Sequence, residues 1–537
     1  MFTTRIALAS LLKKFFRQMI SPLGDVNSPP LTFSLILLLP NIRTANILGF
    51  FPAPIKSHLL IHCAIAETLA ERGHNVTVVA TLPNVHKNSK INYIHIDISV
   101  NEAVLSDMIN QSKSNLHKMT SWMDENIQQC ESLITHHKLQ QFLNNHNSTF
   151  FDLVIFGYRL NDVLLGVAAH FKCPIIISTV VQPIFPLQSM IGNPHEISYV
   201  PSFFTGLSQP MSFKARLRNF YASTFGHTLM NYALETRFEK FYRLHFPAHQ
   251  HPSLNDIRKN ISLLFTNHHF SQGPIRPNVP AVIEIGGIQI KEKPNPLPVD
   301  IKDILDNSEN GVIYFCLGSN VKPSHVTENT AKIMFGVLSH LHYDVLWKWE
   351  NAKVPGIAKN IYFSSWLPQD DILAHPNVKL FITHAGQGSI AESLYHGVPM
   401  ICIPFFGDQL QNARYVKRSG YGLYMDHTNI TSNDFKNTIT EVVLNSKYIE
   451  AVKRFSVLYR DRPMTPRQTA VYWVEYVLRH KGATHLQSPA VHSNVWQLLS
   501  LDVILFLLLI LILISIVIVK LVKLVINKLK KKKLKLD

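Results

Sequence analysis

The sequence predicts two α/β domains, each built on a doubly wound parallel sheet, that face one another across a cleft and are followed by one C-terminal transmembrane helix. Short, continuously apolar runs alternate with segments of helical periodicity, which is typical of parallel sheets covered on both faces. Six prolines between Pro274 and Pro298 separate two such series. A run of 17 uncharged residues, Val503–Val519, lies near the C-terminus.

Residues 1–45 are predicted to be a secretory signal with a long leading segment. Leu31–Pro40 is too short to span a bilayer but fits the apolar core of a signal, and Thr44 and Ala45 suit cleavage. Met19 is as suitable as Met1 to be the first residue translated. Five glycosylation triplets agree with a lumenal chain, although the first opens a strand predicted to be buried and is not expected to be modified: Asn75, Asn110, Asn147, Asn260 and Asn429.

The amino-terminal α/β domain is predicted over residues 46–285. A strand at Asn46–Phe51, a helix from about His58 to Arg72 ended by Gly73, and a strand at Asn75–Ala80 form a right-handed βαβ unit. Residues 197–264 have a helical pattern rich in aromatic residues and are predicted to line an apolar cleft. The other strands are predicted at Asp152–Phe156 and Pro174–Ser178.

A linker is predicted at residues 286–310 and a second α/β domain at residues 311–485. In Rossmann-like sheets of this kind, ligands bind beyond the carboxyl ends of the strands. The strands of this domain are predicted to begin after Gly311 and to continue at Asp344–Trp349, Ile361–Ser364, Val378–Thr383 and Met400–Pro404.

The transmembrane helix is predicted at residues 498–519, with a basic cytoplasmic tail at residues 520–537. Lysines begin at Lys520, immediately after the apolar run, which indicates a single-pass type I orientation. Lys533 and Lys535 stand five and three residues from the C-terminus, resembling the dilysine retrieval signal of endoplasmic-reticulum membrane proteins. The alternative is a basic anchor for anionic lipid headgroups.

The net charge of +16 does not indicate a nucleic-acid partner, because it lies mostly at the chain ends. Residues 520–537 carry +7 and residues 1–44 carry +4, which leaves +5 for the 475 residues between them. The five cysteines show no CxxC pair or repeated spacing, which argues against a disulfide framework or a zinc site.

Polar residues concentrate between Trp366 and Gln409. The strand VKLFIT runs into His384 and Gly386, and the helix that follows near Gly388 would direct its free N–H groups and positive end at the turn. Such a helix end binds a diphosphate without a metal ion.

Within 44 residues this segment contains, in order, Trp, Pro-Gln, His-Pro, Thr-His-x-Gly, Ser, Glu, Gly-Val-Pro and Asp-Gln. This set of residues and its spacing resemble the signature of the UDP-glycosyltransferase family. The resemblance extends from about Asn46 to the tail, includes GVIYFCLGSN at residues 311–320, and is closest in pattern to arthropod members. It implies the GT-B fold and inverting transfer of a hexose, from UDP-glucose before other donors, to a hydroxyl of a small lipophilic acceptor. The products would be a β-glycoside and UDP, and the reaction would need no cofactor or metal. It would take place at the endoplasmic-reticulum membrane, as the conjugation reactions of detoxification do.

The resemblance also implies roles for the donor-binding residues. Trp366 would stack on uracil, Gln369 would pair with the base or ribose, and Glu392 would bridge the ribose hydroxyls. Asp408 and Gln409 would bind hydroxyls of the transferred sugar. The diphosphate would be held by Ser319, His384, Gly386, Gly388 and Ser389.

His58 occupies the position of the family's catalytic base, where a neutral imidazole can take the proton of the acceptor hydroxyl. Its carboxylate partner is less evident. Many relatives carry an acid at the position of Gly157, and the next acid, Asp162, matches a later one typical of arthropod sequences. We expect Asp162 to orient His58; the alternative is that it caps the helix that follows.

Two other functions stay open at this point. A non-catalytic protein could keep the nucleotide site and bind a lipophilic ligand, and a transferase could act on membrane lipid or glycoprotein. A UDP-glucuronate donor would need a cation for its carboxylate, and self-association into a homo-oligomer is compatible with the sequence.

Overall fold

The computed structural model describes residues 44–84, 88–109, 113–202, 205–351 and 353–533. The predicted signal lies outside these residues except for Thr44 and Ala45, and so do Asn110 and Lys535. The described chain contains two parallel sheets, which confirms the predicted fold class.

The first sheet has seven strands in the order β3-β2-β1-β4-β5-β6-β7, and all its neighbours are parallel. Alternate residues of β1 contribute to the cores on the two faces of the sheet: Leu48 and Phe50 to one, Ile47 and Phe51 to the other. The strands are β1 (Asn46–Phe51), β2 (Asn75–Ala80), β3 (Ile91–His95), β4 (Leu153–Gly157), β5 (Ile175–Thr179), β6 (Ile261–Thr266) and β7 (Val282–Glu284).

Helices connect and cover these strands. Helix α1 ends where predicted, because Gly73 adopts φ +104°, a conformation that glycine takes without strain. The helices are α1 (Lys56–Arg72), α2 (Glu102–Ile109), α3 (Asn115–Thr135), α4 (His137–Asn145), α5 (Leu165–His170), α6 (Phe185–Ile191), α7 (Phe213–Tyr221), α8 (His227–His245) and α9 (Leu254–Lys259).

The second sheet has six parallel strands in the order β10-β9-β8-β11-β12-β13. Its strands are β8 (Val312–Cys316), β9 (Asp344–Lys348), β10 (Ile361–Ser364), β11 (Val378–Thr383), β12 (Met400–Cys402) and β13 (Gly422–Tyr424). The helices around it and beyond are α10 (Val299–Asn307), α11 (Glu328–Leu338), α12 (Gln369–Leu373), α13 (Gln387–His396), α14 (Gln409–Arg418), α15 (Ser432–Leu444), α16 (Ser446–Arg460), α17 (Pro466–His480), α18 (Val495–Leu498) and α19 (Leu501–Lys533).

Helix α17 belongs to the core of the first domain, although it follows the second in sequence. Val474 and Val477 are fully buried in the core that also contains Ile47 of β1. Arg72 of α1 donates to Glu475 at 2.9 Å. The boundary predicted at residue 485 is therefore misplaced, because the chain returns to the first domain from Pro466.

Four strands were not predicted: β3, β6, β7 and β13. Strand β6 lies partly within the region expected to be helical, and β7 lies in the proline-rich region. Both are short parallel strands near the edge of the first sheet, and apolar runs of this length do not distinguish a strand from a buried helical turn.

In the described part of the chain, α19 contains one segment long and apolar enough to cross a membrane, Leu501–Lys531. Its side chains are exposed along their length, as expected of a helix that contacts lipid. The helix begins three residues later than predicted and continues through the lysines to Lys533, so the described part of the basic tail is helical.

All five cysteines are free. Four are buried and Cys173 is partly buried. Small apolar packing accounts for these positions.

Candidate active site

The turn between β11 and α13 is the centre of the expected donor site. Ala385 adopts φ +65°, and Gly386 precedes the helix in extended conformation with no side chain capping the helix N-terminus. The free N–H groups of Gln387 and the next residues, with the positive end of the helix, therefore remain available to an anion. Gly388 lies in the first turn of α13.

His384 packs into this turn between two glycines. A Cβ atom at Gly318 would lie 2.4 Å from its ring Cε1, and one at Gly386 would lie 2.5 Å from Nε2. Gly318 also has φ +80°, so glycine is required there by its backbone and by the approach of the ring. The loop after β8 and the turn after β11 can meet only because both positions lack a side chain.

The imidazole of His384 is neutral at physiological pH. Burial, with the charge of Lys348 as the second cause, lowers its pKa to about 4. Its Nδ1 is buried and has no hydrogen-bond partner among the described residues. A neutral ring with an unsatisfied nitrogen can donate one hydrogen bond to a bound phosphate oxygen.

Lys348, at the end of β9, is a cation of this site that the sequence analysis missed. Its Nζ donates to the carbonyl oxygen of Gly318 at 2.9 Å and forms an ion pair with Glu350. Ser319 follows Gly318 and is partly exposed. The Lys348 ammonium thus lies beside the loop expected to hold a phosphate.

Gln369, Ser389 and Glu392 form one connected group. The amide of Gln369 donates to Glu392 Oε2 at 2.7 Å and to Ser389 Oγ at 3.0 Å. Gln289, from the linker, donates to Glu392 Oε1 at 3.5 Å. The structure therefore brings these three predicted residues together and adds Gln289, with Glu392 in the second turn of α13.

The carboxyl group of Glu392 is hard to ionise in the absence of ligand. Burial and the negative charge of Asp370 raise its pKa. The hydrogen bond from Gln369 acts in the opposite direction. Two hydroxyl groups donating to this carboxylate would favour its charged form.

Trp366 joins the two domains. Its side chain is 45% exposed, and the ammonium of Lys56, the first residue of α1, lies 3.3 Å from the ring centroid. Lys348 lies 5.8 Å from the same centroid. The N-terminus of α1, which carries His58, therefore faces the expected donor site.

Asp408 and Gln409 are adjacent in sequence but have different hydrogen-bond partners. Asp408 accepts a hydrogen bond from Asn412 at 2.7 Å, and burial raises the pKa of its carboxyl group. Gln409 is buried, and its amide oxygen accepts from the backbone N–H groups of Phe405 and Phe406 at 2.7 and 3.1 Å. The carbonyl of Gln409 thus fixes the loop before α14.

A groove between the domains leads to Asp408. Both domains contribute to its walls. Its lining includes Val181, Gln182, Leu207 and His268 from the first domain and Gln387, Asp408, Asn412 and Arg414 from the second.

His58 lies in the first turn of α1, and its Nδ1 is buried without a hydrogen-bond partner among the described residues. Burial is the largest cause that lowers its pKa, and the charges of Arg159 and His62 lower it further. The ring is therefore neutral at physiological pH, as a general base must be.

The structure does not place Asp162 against His58. Its carboxylate is buried and accepts from Arg258 at 2.8 Å and from the hydroxyl of Tyr158 at 3.0 Å. Arg258 comes from α9, almost a hundred residues further along the chain. Asp162 thus forms a buried ion pair, and the expected pairing with His58 is not observed.

A family model described as "UDP-glucoronosyl and UDP-glucosyl transferase" matches residues 51–536. The chain belongs to this family. It is 37% identical over 482 residues to UDP-glycosyltransferase UGT5 of Dactylopius coccus, covering 86% of this chain and 89% of the relative. It is 31% identical over 478 residues to UDP-glucuronosyltransferase 2B33 of Macaca mulatta, covering 84% and 88%.

The fold agrees with solved glycosyltransferase structures. A UDP-glucosyltransferase from Polygonum tinctorium superposes with a TM-score of 0.55 at 15% identity and covers 82% of this chain and 100% of that one. The two Rossmann-like domains therefore have the GT-B arrangement. The chain is a UDP-glycosyltransferase by family, and the reaction class is transfer of a sugar from a UDP-sugar to an acceptor.

The donor-binding motif could be recognised from the local sequence, but the contacts that residues distant in sequence make with it could not. Lys56, Gln289 and Lys348 reach the site from three separate segments. The charged end of the apolar strand DVLWK was the available signal for Lys348, since a lysine at the carboxyl end of a parallel strand lies at the ligand-binding edge. No local pattern marks Lys56 or Gln289.

Proposed function

We propose that the protein transfers glucose from UDP-glucose to a hydroxyl group of a small lipophilic acceptor, with inversion, giving a β-glycoside and UDP. The observation that carries the proposal is the position of Lys56 over Trp366, because it holds the start of α1 and the neutral His58 against the donor site. A base on one wall of the cleft and a leaving group on the other suit an in-line displacement.

In this mechanism His58 takes the proton of the acceptor hydroxyl while the oxygen attacks the anomeric carbon. The bond from that carbon to the diphosphate breaks, and UDP leaves with the bonding electrons. The N-terminus of α13, the ring of His384 and Lys348 stabilise the charge that develops on the diphosphate. In this mechanism protein groups stabilise that charge, and no metal ion takes part.

Glucose is proposed before glucuronate because the sequence resembles arthropod members of the family, for which glucose is the expected donor. Asp408 lines the groove at the expected sugar end and is proposed to bind a hydroxyl of the sugar. Arg414 lines the same groove and donates to the carbonyl oxygen of Gly206 at 3.4 Å. A donor comparison separates the two sugars directly.

We further propose that the protein is a single-pass type I protein of the endoplasmic-reticulum membrane, with both domains in the lumen. The lysines that follow the apolar segment support a cytoplasmic C-terminus. The described asparagines of the glycosylation triplets are exposed, including Asn75, although the strand that it opens is otherwise mostly buried.

The test is UDP release by the full-length protein in membranes, with UDP-glucose, UDP-glucuronate and UDP-N-acetylglucosamine each offered against pooled phenols, flavonoids and steroids. We expect acceptor-dependent release with UDP-glucose, and the corresponding hexoside by mass spectrometry. Faster release with UDP-glucuronate would contradict the donor assignment. Protein that binds UDP but releases none with any donor would contradict the proposed transfer to small lipophilic acceptors.

A further inference from the structure

Lys56 extends from the first domain to the tryptophan that is expected to stack on uracil. It is the first residue of α1, and its Nζ lies 3.3 Å from the ring centroid of Trp366, just after β10 of the second domain. The ammonium therefore covers the indole face that is turned toward the first domain. No base fits between them at this distance, so a uracil ring that stacks on this face must take the place of the ammonium.

Lys348 places a second ammonium beside the same ring. Its Nζ lies 5.8 Å from the Trp366 centroid and donates to the carbonyl oxygen of Gly318 at 2.9 Å. Gly318 precedes Ser319 in the loop that is expected to hold a phosphate. The expected positions of the uracil and the diphosphate are therefore close together, with an ammonium group from each domain beside them.

The charges of these two ammonium groups are only partly compensated. Burial is the first cause that lowers the pKa of Lys56, and the charge of Lys348 is the second. Glu350 acts on Lys56 in the opposite direction and forms an ion pair with Lys348. His384 adds no charge, because burial lowers its pKa to about 4. One carboxylate thus faces two ammonium groups, and an anion bound beside them would neutralise the remaining positive charge.

We infer that Lys56 is a donor-binding residue supplied by the first domain, and that its ammonium pairs with the diphosphate when uracil stacks on Trp366. The flexible, unbranched side chain of Lys56 allows this shift without movement of α1. The diphosphate then lies between Lys56 of one domain and Lys348 of the other. Because His58 lies two residues further on the same helix, this pairing also keeps the proposed base next to the donor.

The inference rests on the proposed function for the position of the diphosphate, and it adds one contact from the first domain to those of the second. It also means that the charge of Lys56 affects uridine and UDP differently. Both ligands displace the ammonium from the ring, which weakens their binding. Only UDP then offers the ammonium a negatively charged partner, and such charge-assisted hydrogen bonds are the strong ones. A simple contact with the base would instead affect both ligands equally.

The test measures the affinities of the full-length protein for UDP and uridine by titration calorimetry, with uridine in competition against UDP. We expect Lys56→Met, which keeps most of the side-chain length and removes the charge, to lower the preference for UDP over uridine by about 10-fold or more, as the loss of a charge-assisted hydrogen bond does. Lys56→Arg, which keeps the charge, should retain the wild-type preference. Lys379→Met is the matched control, because Lys379 is exposed near the amino end of β11, away from the donor site.

The salt dependence gives a second measure of the same contact. The wild-type preference for UDP should fall as the salt concentration rises, and this dependence should be weaker in Lys56→Met. An unchanged preference in Lys56→Met would overturn the inference, whether the two affinities fall together or neither changes. Wild-type binding of UDP and transfer of glucose would still stand in that case. A wild-type protein that bound no UDP would contradict the proposed function as well.

Discussion

Replacing His58 with glutamine is expected to lower kcat by about 10²–10⁴-fold, the usual contribution of a general base. The affinity for UDP should stay within about two-fold of wild type, because the proposed UDP contacts come from the second domain. Steady-state kinetics with UDP-glucose and a phenol give the first quantity, and calorimetric titration with UDP gives the second.

The matched control is Lys56→Gln, which lies two residues earlier on the same helix and contacts Trp366. We expect it to alter donor affinity more than kcat, since it contacts the proposed uracil platform and not the acceptor hydroxyl. A wild-type kcat in His58→Gln would remove His58 from the mechanism. Loss of UDP affinity in that variant would show that His58 acts on the donor.

Introducing a methyl group at Gly318 is expected to weaken UDP affinity and lower kcat/KM together, each by a factor on the order of 10². The Cβ atom of Gly318→Ala would lie 2.4 Å from the ring of His384, and φ of +80° adds backbone strain. The ring must move out of the turn between β11 and α13. Calorimetric titration with UDP and donor saturation kinetics measure both effects.

Gly336→Ala provides the control, because a Cβ atom there, in the last turn of α11, meets nothing within 4 Å. This variant should bind UDP like wild type and fold at least as stably, since alanine favours a helix more than glycine. In a His384→Ala background, Gly318→Ala should lose much less additional affinity, as expected when two changes act on one contact. Additive losses would show that the ring is not the group displaced.

The parallel sheets and the place of the expected donor site were predictable from sequence for the same reason. Strands β8 and β11 are short apolar runs that can be recognised without knowing their neighbours in the fold. The polar residues that follow them must lie at the carboxyl edge of a parallel sheet. His384, Ser389 and Glu392 are therefore positioned by elements that contain or adjoin them. Gln369 could be placed there because its contacts reach only twenty-three residues along the chain.

The role of Asp162 could not be predicted in this way. Its partner, Arg258, lies on α9, and no spacing in the sequence links the two. The packing of α17 against the first domain was unpredictable for a similar reason. The apolar face that contains Val474 could pack against either domain, and only the fold shows which. The lack of space beside Gly157 was not predictable either, because the ring of His62 comes from α1 and only the fold brings it to the end of β4.

The configuration of the product at its anomeric carbon distinguishes direct displacement assisted by His58 from a retaining reaction. Given UDP-glucose and 4-methylphenol, the protein is expected to form a glucoside whose anomeric proton shows the large coupling of the β form in the NMR spectrum, without passing through an α product. An α-glucoside as the first product would contradict direct displacement assisted by His58. Absence of any glucoside, with a donor shown to bind, would contradict the proposed reaction itself.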